Sequence, residues 1–145
     1  MNPEPDFTPQ ISSAKRRAAE RRAAEEELAA RQRAERQRAL AIAEELLSGL
    51  VRPVLEKAAA DLRHAELVAE LGNGRDRFGA LRLSLRIAGS PDALVFTACD
   101  GMAPYLGWHA EPATMRTEKL PSSIPQPTRE EITRIIGEFI RHAIT

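Results

Sequence analysis

Ala80-Leu81-Arg82-Leu83-Ser84-Leu85-Arg86-Ile87 decides the fold class. Leu81, Leu83, Leu85 and Ile87 are apolar, and Arg82, Ser84 and Arg86 between them are polar. A period of two is the mark of a strand with one buried face. The chain on either side of it has helical composition, so a strand here makes the protein α+β.

Towards the C-terminus, Gly89-Ser90-Pro91-Asp92 reads as a turn, and residues 93–99 read as a second strand. Asp100-Gly101 is a hairpin signal. Residues 102–110 form a third strand, with Pro104 placing its start at an edge or bulge. Glu111-Pro112 turns the chain, and residues 113–119 are the candidate fourth strand. Residues 120–127 hold three prolines and read as a linker. Thr128-Arg129-Glu130-Glu131 is a capping box. Behind it Ile132, Ile135, Ile136, Phe139, Ile140 and Ala143 recur at helical spacing, so helix 128–144 is expected to pack one face on the sheet.

Towards the N-terminus, Gly72-Asn73-Gly74 is expected to stop a helix over residues 51–71. Its buried stripe would be Val51, Val54, Leu55, Ala58, Leu62, Ala65 and Val68. Pro53 removes a backbone donor and clashes with the carbonyl of Gly49, which predicts a kink or restart at 49–53. Before it, Ala, Arg, Glu, Gln and Leu dominate, all strong helix formers. Ser12 or Ser13 can cap this helix at Ala14. A continuous helix from Ala14 to Arg52 is about 58 Å long at ~1.5 Å per residue. The expected organisation is a disordered acidic, Pro-rich tail over 1–13, a charged helical arm over 14–50, and a compact domain over 51–145. That domain holds helix 51–71, an antiparallel meander of three or four strands within 78–119, the linker and helix 128–144.

The arm and the domain differ in chemistry. Of 37 Val, Ile, Leu, Met, Phe, Trp and Tyr residues, residues 1–39 hold four: Met1, Phe7, Ile11 and Leu28. That segment has too little apolar surface for a core of its own. The 145-residue chain carries 21 basic and 21 acidic residues. From Lys15 to Arg38, however, there are nine basic and five acidic residues, an excess of +4 that the remainder cancels. The best heptad stripe runs Ala19, Ala23, Ala30, Leu40, Leu47, Val51, Val54 and Ala58. Glu26, Arg33 and Gln37 interrupt it, so no apolar seam is sustained before Leu40. Of the charge pairs one turn apart, Glu27–Arg31 has the favourable order, whereas Arg16–Glu20, Arg21–Glu25, Arg22–Glu26 and Arg31–Glu35 have the reverse.

No motif carries recognisable catalysis. His109-Ala110-Glu111 matches the H-x-E start of zinc deaminases, but no P-C-x-x-C follows to complete the metal site. Cys99, His109 and Asp100 could be arranged as nucleophile, base and orienter. A simple hairpin, however, brings Cys99 near Met102 instead, and a lone cysteine suits packing. His64 and His142 have no second ligand one turn away. No phosphate-loop pattern occurs. Catalytic, cofactor and metal residues are therefore all expected to be absent. The single cysteine fits a reducing compartment. The N-terminus lacks a signal-peptide pattern and no apolar stretch is long enough for a membrane span, so the expected setting is cytoplasmic, without a membrane partner.

Three functional readings follow. The first is a non-enzymatic assembly module, an adaptor or scaffold. Its long helix would pair with a second copy or a protein partner through Leu40, Leu46, Leu47, Leu50 and Val51. The second is a nucleic-acid-associated protein contacting phosphates through Arg16, Arg17, Arg21 and Arg22. The glutamates interspersed among these arginines weaken that field. The third is a ligand or enzymatic site on the sheet face carrying Arg82, Arg86, Tyr105 and His109. Alternation alone also predicts that face as ordinary solvated surface. RNA-binding sheets display several stacking aromatics, and this one has only Tyr105.

Overall fold

In the computed structural model, residues 3–76, 79–99, 105–112 and 122–144 are described. The chain divides into two units, Met1–Glu35 and Arg36–Thr145.

Helix α1 spans Thr8–Leu46. It begins before the expected Ala14, and the reason is local. The Thr8 backbone N–H and hydroxyl donate to Asp6 Oδ1 at 3.0 and 2.6 Å. The carbonyl of Phe7 accepts the first helical bond from Ile11 N–H at 3.0 Å. Pro9 lies in the first turn, where its missing donor costs nothing. Residues 8–13, expected as disordered tail, are therefore helical. In the first unit the helix buries no side chain, so propensity is what favours it there.

The second unit is built around a helical stripe that recurs every four residues. Ala39, Ala43, Leu47, Val51, Leu55 and Ala59 are all buried, and Leu62 follows. An α-helix overshoots by about 40° every four residues, so such a stripe would wind off the core. A π-helical turn at Leu47–Val51 widens the helix and resets the drift. The Arg52 N–H bonds to the Leu47 carbonyl five residues back. The chain then enters α2, Arg52–His64, with Pro53 in its first turn. Near 49–53, where a kink or restart was expected, the chain makes this wide turn at Leu47–Val51 and continues as helix.

Helix α2 ends at His64, before the expected Leu71. Glu66 takes a left-handed φ of 64°. Two reverse bonds close the helix: Glu66 N–H to Arg63 O at 3.0 Å and Leu67 N–H to Leu62 O at 2.9 Å. This closure usually uses glycine. Here a glutamate occupies the position, which is why the stop was not visible in the sequence. Ala65 and Val68 are consequently exposed and do not join the buried stripe.

Gly72-Asn73-Gly74 is a strand, not a helix cap. Strand β1, Ala69–Arg75, pairs antiparallel with β2, Leu81–Ile87. Gly72 lies opposite Ser84, and a Cβ at 72 would collide with the Ser84 hydroxyl oxygen. Glycine lets that hydroxyl lie against the β1 backbone; a larger residue there would require the Ser84 side chain to rotate. Strands β3, Asp92–Cys99, β4, Tyr105–Pro112, and β5, Ser122–Ser123, complete a five-stranded meander in the order β1-β2-β3-β4-β5. The strand count exceeds the expected three or four because β1 and β5 read as helix and linker. Within the expected linker, Ile124 is buried and donates its N–H to Leu106 O at 3.0 Å. The expected strand at 113–119 and the Asp100-Gly101 turn lie outside the described residues.

Leu81, Leu83, Leu85 and Ile87 face the core as alternation predicts. They meet Leu94, Phe96 and Leu106, the helical stripe, and Ile132, Ile135 and Ile136 of α3, Arg129–Ile144. Half of the expected capping box forms at α3. Glu131 N–H donates to Thr128 Oγ1 at 3.2 Å, while the Thr128 N–H donates to Gln126 O at 2.8 Å. The Glu131 carboxylate instead accepts from Arg134 at 2.6 Å. The fold is α+β, with the helices and the sheet enclosing one core.

Candidate interaction surfaces

The first surface is the N-terminal part of α1. No residue from Thr8 to Glu35 is buried. Phe7, Ile11 and Leu28 keep 64, 54 and 57% of their surface exposed. Arg16, Arg17, Arg21 and Arg22 are exposed, and none makes an ion pair among the described residues. Glu27 and Arg31, in the favourable order, pair at 2.8 Å.

The second is the leucine cluster expected to pair helices. Leu47 and Val51 have no exposed surface; both belong to the chain's own core. Neither presents a surface to a partner, contrary to the sequence expectation. Leu40, Leu46 and Leu50 pack against that core while remaining half-buried, and Ile42 beside them is exposed. Sequence periodicity alone could not separate this flank from the stripe, because both faces are apolar.

The third is the outer face of the sheet. Arg82 lies opposite Thr97 and Glu111 lies opposite Ala93, so the two flank Val95. The Arg82 guanidinium donates to Glu111 Oε2 at 2.6 Å, an ion pair across β3. His109, opposite Val95, places Nε2 3.9 Å from the same oxygen. Its Nδ1 is buried without a hydrogen-bond partner among the described residues. Burial holds the imidazole below the ordinary histidine value; Glu111 opposes this and Arg82 reinforces it. The Arg82 and Glu111 charges therefore neutralise one another. Arg86 is exposed. Of Tyr105, only its backbone pairing with Cys99 is described.

That register also separates Cys99 from His109. Cys99 lies four residues along β3 from Val95, the partner of His109. At ~3.3 Å per residue the two stand about 13 Å apart along the sheet, beyond a nucleophile–base bond. Cys99 Sγ lies 3.4 Å from Thr97 Oγ1, and burial pushes the thiol up, away from the reactive thiolate.

A fourth surface was not legible in the sequence. An apolar groove of about 370 Å³ lies between α2 and α3, lined by Val54, Ala58, Leu62, Ile136 and Ile140. It exists because α2 and α3 share the core and leave a furrow between their outer flanks. A larger cleft, about 710 Å³, is polar, with Glu44, Arg52, Asn73 and Arg75 along it. Arg75 and Glu44 pair there at 2.8 Å. Among the described residues no helix is long and apolar enough to cross a membrane.

Comparison with protein-family models, curated proteins and solved structures gives no match for this chain.

Proposed function

We propose that this protein is a non-enzymatic assembly module, in which the N-terminal part of α1 associates with a second copy of the chain. One observation carries the reading: from Thr8 to Glu35 the chain is helical and buries no side chain. Isolated helices gain little from propensity alone, and most helical stability in proteins comes from packing an apolar face. A helix of this length without such packing is suited to acquiring it from a partner. The exposed Phe7, Ile11 and Leu28 supply apolar contacts. Sedimentation across a concentration series tests it. The expected result is a mass above 16.0 kDa that rises with concentration and falls back on deletion of residues 1–35. A monomer at every concentration overturns it.

A second reading, phosphate contact with a nucleic acid, is favoured by the four arginines Arg16, Arg17, Arg21 and Arg22, which have no ion-pair partner among the described residues. Its test is binding to a duplex at graded salt. Affinity should fall steeply as salt rises and disappear when these four become glutamate. Absent or salt-independent binding removes it.

A further inference from the structure

The groove between α2 and α3 has an apolar floor and a charged mouth. Val54, Ala58 and Leu62 line one wall, and Ile136 and Ile140 the other. Gly137 also lines the groove from α3, and a Cβ there would meet nothing within 4 Å. Glycine is unfavourable in a helix interior, and no neighbour among the described residues requires it at 137. Its absent side chain leaves room for a second backbone to approach. At the mouth, Lys57 is tied to Asp61 at 2.7 Å, while Arg129 makes no ion pair among the described residues.

The chain carries a matching segment. Phe7 and Ile11 are one helical turn apart and both exposed. An apolar pair at this spacing is how an amphipathic helix anchors in a hydrophobic groove. Glu4 precedes the pair, is exposed, and makes no ion pair among the described residues. Asp6 is occupied by Thr8. Leu28 is less suited, since Ala24, Glu25, Arg31 and Gln32 stand one turn away and extend no apolar stripe of similar bulk.

We infer that the α2–α3 groove of one copy seats the Phe7–Ile11 turn of a second copy, with Glu4 directed to Arg129. The inference rests on the assembly reading above and names its surface. Reciprocal seating would fill both grooves in a twofold dimer.

The test is sedimentation equilibrium on the full chain and its variants. Phe7→Asp with Ile11→Asp should weaken association at least about tenfold, as loss of central apolar anchors does. Gly137→Leu fills the groove with a better helix former, so it should abolish association without lowering thermal stability. Glu4→Arg and Arg129→Glu should each weaken association a few-fold, and the double reversal should restore it. Association that is lost on deleting residues 1–35 but unmoved by the Phe7/Ile11 and Gly137 variants overturns the groove and leaves the assembly reading standing. A monomer at every concentration overturns both.

Discussion

The helix Thr8–Leu46 is supported in two ways along its length. Up to Glu35 it buries no side chain, and its alanines, arginines and glutamates favour the helix by backbone propensity. From Ala39 onward every fourth residue enters the core, continuing through the π turn into α2. Both stretches are helical, yet only the second is held by packing. The difference teaches that helical composition does not report where a helix is fastened.

The largest expected effect contrasts the two stretches directly. Leu47→Ala should cost ~2–5 kcal/mol, because it empties a site with no exposed surface. Leu28→Ala, measured at protein concentrations too low for association, should cost less than about 0.5 kcal/mol. Chemical denaturation of both variants measures the contrast. Equal effects would mean that Leu28 is buried in solution. Next in size, Gly72→Ala should cost at most about 1 kcal/mol, since the added methyl displaces only the rotatable Ser84 hydroxyl. Combining it with Ser84→Ala should recover part of that loss. Glu66→Gly should stabilise the protein by about 1 kcal/mol, removing a left-handed non-glycine at the end of α2. A rise in Tm checks it.

The smallest effect is a pH dependence. His109 is held below its ordinary value, so it stays neutral in the folded state more readily than in the unfolded chain. The stability it confers is present above about pH 6.5, the unfolded value, and is lost as pH falls through and below it, by at most about 1.4 kcal/mol per pH unit. His109→Gln should flatten that part of the stability profile. An unchanged profile would mean that the imidazole is as solvated folded as unfolded.

The legible parts of the fold are those where one residue's neighbours in sequence settle its environment. The β2 alternation shows Leu81, Leu83, Leu85 and Ile87 on one face whatever packs on them. The spacing of Ile132, Ile135 and Ile136 does the same for α3. Strand β1 was hidden because Gly72-Asn73-Gly74 has poor strand composition and is held in place by pairing with β2. The outer-face residues Arg82 and His109 were legible as sharing a face. Glu111 beside Pro112 has the local signature of a turn, and its bond to Arg82 crosses an intervening strand that no local pattern specifies.

By itself, the sequence determined the helical character of the N-terminal segment, the strand period at 81–87, the amphipathic C-terminal helix and the uneven placement of charge and apolar bulk. Each is a property of residues within a few positions of one another. Only the tertiary structure decided that Leu47 and Val51 belong to the chain's own core, that Glu66 ends α2, that Gly72 faces Ser84, and that α2 and α3 leave an apolar groove between them. Those outcomes depend on which surfaces meet across long stretches of chain, and burial, close approach and register are settled only where they meet.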